Sequence, residues 1–600
     1  MDQFIRFARH LKPELSLALP DITIPPELLP SHVASFLANA LNLDKITIDN
    51  LWSILRHHIW QLNEVYINPT ERILFDEHGS RTARKEHKIA YFMFYPPYTR
   101  CPCCNHLLNR ISRVTVTFFT KDGPFPAYST SLRCNKESCE TRYYLNYCVK
   151  IKTHIRQYYD EPVPEVIHLE DHSFIQVALS ELFTSCTLFA WVSSQNCASI
   201  YNHTLSSYSH KEVHESKFTL TSTQVWRSFV LVSLLKDWRD RGQTLIMRED
   251  AELNLRLQEL MCQRNERIIV EGQRERLHAC NTCSLRAVVT DGVTLGHPCC
   301  KVHNCSEPLQ NNRHHWCKTH IDRQRVCVFA DCNLPAHFGH RTCGQSSHQK
   351  YEDYRNLKGK GFFLLRQRLQ RAGVQQPLAS LDSDLSIPED DLVDITEADD
   401  PNTATDPSHK SDKGNRPSRA LFARRRTHNE QLVVCTCGII AARATMYGAE
   451  AISGVKDFLK SVYPIPNDLP DVIFYDNNCH LQAHLQAQND TFFRGTMLPV
   501  DVFHFKSKHK ESDEFCQRHC NPSQWTELVG DNGEWVFNSS AAEQANVWIG
   551  GYQAIVREML YYNYNFFLDK MIRRRNEVLI TKLRKASQVP YHIPPYPATL

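Results

Sequence analysis

Seven cysteines and seven histidines fall within the fifty residues from Cys299 to His348, and one ligand spacing occurs there twice. Cys300, Cys305, Cys317 and His320 read CxxxxC, eleven residues, CxxH; Cys327, Cys332, Cys343 and His348 read CxxxxC, ten residues, CxxxxH. Zinc takes four sulfur or nitrogen ligands in tetrahedral geometry, and short-range pairs set its bite, so the pattern predicts two structural zinc sites. Cys299, His303, His314, His315, His337 and His340 compete for ligand positions in the same stretch. A third quartet, Cys101 and Cys104 before a hairpin with Cys134 and Cys139 after it, has the layout of a zinc ribbon, with Cys103, His106 and Cys148 as rivals. Reactive, disulfide-forming or simply packed cysteines are the competing reading for all of these.

A second kind of chemistry needs carboxylates. Asp291 ends a β-branched run, Asp476 ends the apolar segment DVIFYD, and Glu543 lies early in the amphipathic stretch SSAAEQANVWIGGYQAIVREML. If the Cys/His block and the acidic linker beyond it form one long insertion, the order is a strand with Asp291, two strands, a helix, a strand with Asp476, a strand over MLPVDVFHF, and a helix with Glu543. That is the order of a ribonuclease H-like fold, in which the first and central strands are neighbours. Three carboxylates meeting at one sheet edge would bind Mg²⁺ or Mn²⁺, hard cations that prefer oxygen, for two-metal phosphodiester chemistry. Each acid also has an ordinary structural explanation: Asp291-Gly292 reads as a hairpin turn between two strands, Asp476 as a helix N-cap, and Ser540 to Glu543 as a capping box. Asp501, on the strand predicted over MLPVDVFHF, is the rival acid.

The positioning elements are read from periodicity. Residues 1–90 place apolar side chains at helical spacing, with Ser31 and Asp49 as N-caps, and read as a helical domain. Residues 91–150 switch to strand alternation around an Asp-Gly turn and read as the zinc-ribbon-like module. Residues 151–278 read as helical, and TSTQVWRSFVLVSLLKDWRDR within them reads either as a bundle helix or as a helix-turn-helix-like reader of DNA. The first strands of the core are predicted at 279–297, the Cys/His insertion at 298–350, a helix at 351–375, and the remainder of the core with C-terminal helices at 421–600. Between 376 and 420 lies the acidic linker, with ten acids and no Lys or Arg from 380 to 407, a composition that cannot offset its ordering entropy. The fold class is therefore multidomain α/β, a ribonuclease H-like core interrupted by a zinc cluster insertion and preceded by helical and zinc-ribbon-like modules.

Composition narrows the function. With 42% hydrophobic and 10% aromatic residues in 600, several globular cores are expected. The opening MDQFIRFARHLKPELSLALP has no signal-peptide pattern, and the most apolar stretch, Phe174 to Trp191, is interrupted by polar residues, so no membrane partner is expected. Twenty-three cysteines then suit a reducing compartment where thiolates bind metal. The net charge of +3 does not by itself announce nucleic acid, so local basic groups carry that question: the ARRR run at Ala423 to Arg426, Lys506, Lys508 and Lys510, and Arg573 to Arg575. Each reads as a phosphate contact or as a solvated face, and ARRR also as a nuclear import signal. Two weaker metal readings remain: Cys280 and Cys283 with Cys435 and Cys437, and a site drawn from His504, His509, Cys516, His519 and Cys520.

The phrases VTDGVTLGHPCC, THNEQLVVCTCGII, IFYDNNCHLQAHL, LPVDVFHFKSKHK, CQRHCNP and FNSSAAEQANVWIGGYQAIVREM together resemble the fungal KDZ (Kyakuja, Dileera, Zisupton) transposases carrying associated cysteine clusters. The resemblance spans nearly the whole chain. It implies a DDE transposase core with Asp291, Asp476 and Glu543 as its catalytic acids, and Mg²⁺ or Mn²⁺ as catalytic ions. It also implies zinc clusters that aid DNA binding, transposon-end and target DNA as partners, a homo-oligomer, and a nuclear location. The alternative is a non-catalytic, domesticated zinc-dependent DNA-binding or chromatin protein. A RING-like ubiquitin ligase, suggested by the paired Cys/His sites, lacks the usual short CxxC entry pairs there.

Overall fold

The computed structural model describes residues 1–600 except 18, 20, 81–87, 161–163, 171, 207–217, 284–285, 330–331, 359–421 and 595–600. The acidic linker at 376–420 lies outside the described residues, as does most of the helix expected at 351–375, of which Ser346–Lys358 covers the start. The chain divides into two compact units, Met1–Glu266 and Arg267–Leu600.

The first unit opens with helices Asp2–His10, Lys12–Ser16, Ser31–Leu41, Lys45–Gln61 and Pro69–Phe75, closed around buried Phe7, Phe36, Trp52 and Phe75. Their caps differ from those expected: Pro30 precedes the third helix, and Asp44 rather than Asp49 caps the fourth by accepting from the Thr47 N–H. Next comes a nine-stranded sheet centred on the hairpin Asn109–Thr120 and Gly123–Arg133, whose turn at Lys121-Asp122 leads into Gly123 at φ 117°. The buried Glu14 ties helix to sheet. It accepts from His32 and the Tyr95 hydroxyl at 2.8 Å each and pairs with Arg113.

Residues 151–278 are not purely helical. They also supply strands Ile155–Tyr158, Val166–Glu170, Ser173–Gln176 and Ile246–Arg248 to that sheet. These strands are short, so their two-residue alternation is masked by the long apolar helices beside them. The helix-turn-helix reading fails on packing. Helix Ser222–Arg239, capped by a Thr221–Gln224 box, is buried from Val225 through Leu235 on nearly every side, whereas a DNA reader must present a face.

The second unit is built on a four-stranded sheet of β1 (Ala287–Val293), β2 (Asn429–Cys435), β3 (Ile440–Met446) and β4 (Val472–Tyr475), in the order β3-β2-β1-β4. β1 is antiparallel to β2, β2 to β3, and β1 is parallel to β4. β2 and β4 are buried throughout, as strands covered on both faces must be. The expected hairpin at Asp291-Gly292 is absent: β1 runs straight through both residues and pairs Asp291 with Leu432. The strand expected over MLPVDVFHF is shortened. Met497 to Val500 lies along the outer edge of β4, where the Ile473 N–H donates to Met497 O at 2.9 Å, but Asp501 then starts a helix.

Helices α1 (Ile452–Val462) and α2 (Asn478–Ala487) cover one face of the sheet through Val455, Leu459, Leu481 and Leu485, packed on Val433, Ile473 and Tyr475. Short helices α3 (Val502–Lys508) and α4 (Glu514–His519) come after them. The other face carries α5 (Ala541–Gly550) and the long α6 (Tyr561–Lys585). A buried charge network fixes α6 to the sheet: Arg443 donates to Glu430 at 2.9 Å and Asp569 at 2.6 Å, while the Tyr564 hydroxyl reaches Glu430 at 2.8 Å.

Two basic runs turn out to be structural. Arg424 donates to Glu558 and to Asn312 O, Arg425 to Val302 O, and Arg426 to Glu558 and to Arg557 O, so ARRR staples the Cys/His block to the core. It is neither a solvated turn nor a free basic signal. Arg573 and Arg574 pair with Glu577, and Arg575 donates to Gly438 O. Lys506, Lys508 and Lys510 are exposed.

Candidate functional site

The three predicted cysteine quartets come together in space. Within each of the groups Cys101, Cys104, Cys134, Cys139; Cys300, Cys305, Cys317, His320; and Cys327, Cys332, Cys343, His348, all four ligand atoms lie within 4.8 Å of one another. The first group closes the open end of the long hairpin, with the Cys101 and Cys139 sulfurs 3.5 Å apart and the Tyr143 hydroxyl 3.0 Å from Cys101. In the second, His320 Nδ1 stands 3.2 Å from Cys317 and 3.6 Å from both Cys300 and Cys305. In the third, His348 Nδ1 stands 3.3 Å from Cys343 and 3.5 Å from Cys327, its ring stacked on Phe329. The rivals Cys103 and Cys299 fall outside the quartets. Buried sulfurs and imidazole nitrogens converging in fours suit zinc and could hold it.

A fourth group differs from its expectation. His278, Cys280, Cys283 and Cys437 converge, with His278 Nε2 3.4 Å from Cys437, whereas Cys435 is buried against Cys437 but is not one of the four. The hydrogen bond between Cys280 and Cys437 pulls the Cys280 thiol down, against the opposing effect of burial, and pushes the Cys437 thiol up, so the pair shares one negative charge. The run HACNTC carries three of these ligands in nearly adjacent positions, so the spacing that marks His278 as a ligand is present in the chain.

The three acids lie on adjoining elements: Asp291 on β1, Asp476 just after β4, and Glu543 on α5, which packs against β1. Thr290 pairs with Tyr475 across the parallel strands, so Asp291 and Asp476 are the next residues of neighbouring strands. Glu543 lies in the first turn of α5, and three residues on, Asn546 donates from Nδ2 to Asp291 Oδ2 at 2.8 Å. The capping roles expected for Asp476 and Glu543 are not made. Asn477 rather than Asp476 occupies the N-cap of α2, and no side-chain cap is made at Ser540, so Glu543 closes no capping box.

Asp501 sits at the N-cap of α3, accepting from the Phe503 and His504 backbone N–H groups and contacting His504 Nδ1. His504 in turn presents Nε2 3.6 Å from Glu543 Oε1. Asp501 thus acts on this edge through His504 and not as a strand residue.

Electrostatics mark the same place. Burial pushes the Asp291 carboxyl up to about 6, and the charges of Asp476 and Glu450 add to it against the Gly292 N–H and His504. Glu450, which no sequence pattern singled out, is also raised by burial and by Asp476, while the Tyr475 hydroxyl and Asn429 bond to it at 3.1 Å. Carboxylates raised mainly by burial, and further by one another, single this edge out as a candidate functional site. Asn546 Oδ1, on the α5 side with Asp291, is buried with no hydrogen-bond partner, as are Asn429 Oδ1 and Gln431 Oε1 on the Gly292 side of the sheet. Hard oxygen donors without donors of their own fit a divalent cation such as Mg²⁺ or Mn²⁺.

Residues 89–205 match the model of a CxC5 like cysteine cluster associated with KDZ transposases, and residues 289–354 that of a CxC6 like cysteine cluster associated with KDZ transposases. Both agree with a KDZ transposase-like protein. No curated protein and no solved structure matches the chain. Among the described residues no helix is long and apolar enough to cross a membrane.

Proposed function

Starting from a KDZ transposase-like chain that carries two of that group's cysteine clusters, we propose that it cleaves and joins DNA strands with a DDE-type, two-metal site on a ribonuclease H-like core. The observation that carries this reading is Asp291 beside Asp476 on neighbouring strands, with Asn546, one helical turn beyond Glu543, bonded to Asp291 from an element far away in the chain. The strand order β3-β2-β1-β4, with Met497 to Val500 alongside β4, supports the core assignment. Asp291 and Asp476 would hold Mg²⁺ or Mn²⁺ jointly and Glu543 would complete the set; bound there, the ions supply Lewis-acid stabilisation and an activated oxygen nucleophile. Asn546 holds Asp291 in its rotamer, and His504, anchored by Asp501, orients Glu543.

Transposon ends and target are the DNA partners on this reading, with the zinc-bearing clusters aiding their binding, a homo-oligomer as the working assembly, and the nucleus as the location. Exposed Lys506, Lys508 and Lys510 next to the acidic edge would contact phosphates. Purified protein should nick element-end DNA with Mg²⁺ or Mn²⁺. Asp291→Asn, Asp476→Asn and Glu543→Gln should each abolish nicking while circular dichroism stays unchanged. Salt-sensitive DNA binding without nicking under either metal would instead indicate a domesticated DNA-binding protein.

A further inference from the structure

Immediately beside the acidic edge is a fifth group of metal-type ligands. Cys479 on α2, His509 after α3 and Cys516 on α4 bring their ligand atoms within 4.8 Å of one another. His509 Nδ1 stands 3.2 Å from Cys516 and 3.9 Å from Cys479. Cys520, the C-cap of α4 four residues beyond Cys516, is outside that trio but belongs to the same buried cluster. Cys516 and Cys520 have no solvent exposure, and Cys479 almost none.

The imidazole shows how this group is used. Its Nε2 lies 3.0 Å from the backbone oxygen of Asp476, an atom that can only accept, so Nε2 carries the proton and Nδ1 offers its lone pair to the thiols. An imidazole with one nitrogen aimed at converging sulfurs and the other donating to a carbonyl is the arrangement of a metal-bound histidine with its outer hydrogen bond. On the opposite side, the Cys520 carbonyl accepts from the Val500 N–H at 2.9 Å, one residue before Asp501. The cluster therefore grips the chain at Asp476 and next to Asp501, the residue that anchors His504.

We infer that Cys479, His509, Cys516 and Cys520 form a structural zinc site that fixes the main chain at Asp476, with His509 as a positioning residue for the acidic edge. The zinc assignment stands on its own geometry; the positioning role rests on the proposed reading of Asp476 as a divalent-ion ligand. Three sulfurs and one imidazole nitrogen make a closed tetrahedral set with no position for substrate, as expected of a scaffold site.

The test uses the full chain. Metal analysis of Cys516→Ser should show one zinc fewer than wild type, and equal zinc contents would overturn the site. If that variant does not fold, wild-type protein is alkylated with and without a zinc chelator and mapped by peptide mass spectrometry. Cys479, Cys516 and Cys520 should become labelled together only with chelator; labelling without it, or only after a thiol reductant, overturns the site. His509→Cys keeps four ligands but loses the bond to Asp476. It should retain wild-type zinc content while binding Mn²⁺, read by electron paramagnetic resonance, roughly tenfold more weakly. Unchanged Mn²⁺ affinity in His509→Cys, alongside a loss in Asp476→Asn, overturns the positioning role alone. Mn²⁺ binding insensitive to Asp476→Asn overturns the reading of the acidic edge, and the positioning role with it, and leaves the zinc count standing.

Discussion

Asn546 donates to Asp291 at 2.8 Å across a separation of 255 residues, joining the helix that carries Glu543 to the strand that carries Asp291. Asn546 Oδ1 is buried without a hydrogen-bond partner. Asn546→Ala should keep the fold, at a cost of about 1 kcal/mol for the lost hydrogen bond. It should lower metal-dependent cleavage roughly tenfold to a hundredfold, the usual effect of removing a partner that orients a metal ligand. Melting curves and single-turnover nicking assays on the variant check the two halves separately.

Asp291 makes stability depend on pH in a direction opposite to that of a salt-bridged acid. Its carboxyl titrates at about 6 in the folded protein against an ordinary value of 3.8, so between those values the folded state holds a proton that the unfolded state has released. Without added Mg²⁺, stability should therefore rise as pH falls from 7 to 4, by on the order of 2 kcal/mol. Asp291→Asn should remove this dependence and melt higher than wild type at pH 7 to 8, with the difference vanishing near pH 4. Thermal melts of both proteins across that range, with zinc retained, provide the measurement.

The two cysteines of the CTC motif should behave differently. Cys437 lies with His278, Cys280 and Cys283, while Cys435 is buried against Cys437 but is not one of the four. Cys437→Ser should lower bound zinc by one per chain, whereas Cys435→Ser should leave the zinc content unchanged. Elemental analysis of the two variants decides.

A side chain at Gly292 would strike the ends of three polar side chains. A Cβ there would come 2.2 Å from Asn429 Nδ2, 2.8 Å from Glu450 Oε2 and 2.9 Å from Gln431 Oε1. Gly292→Ala should cost about 1–3 kcal/mol through overpacking. It should also weaken Mn²⁺ binding, because Glu450, whose charge acts on Asp291, must turn aside with Asn429 and Gln431; a melting curve and a Mn²⁺ titration measure the two effects.

Much of the metal chemistry was readable in the chain. The quartets at Cys101, Cys300 and Cys327 are made of ligands in short-range pairs, and closing a short loop leaves few geometries, so spacing and spatial grouping coincide. The strands β2, β3 and β4 and helix α1 were equally legible, because their apolar periodicity runs unbroken between turn residues. Asp291-Gly292 was not. A turn dipeptide prefers a hairpin locally, but pairing with Leu432 and Gln431 on β2 keeps β1 extended through it. Tertiary pairing outweighed a local preference worth little by comparison.

What the sequence determined by itself is therefore whatever a few neighbouring residues can enforce: ligand pairs, hairpins and amphipathic faces. Only the tertiary structure decided that Glu450, Asn546 and His504 join the three acids, that Cys479 belongs with His509 and Cys516, and that ARRR is a staple. Those relationships depend on strand register and helix docking, which are set by burial summed over the whole unit and leave no spacing pattern in the chain.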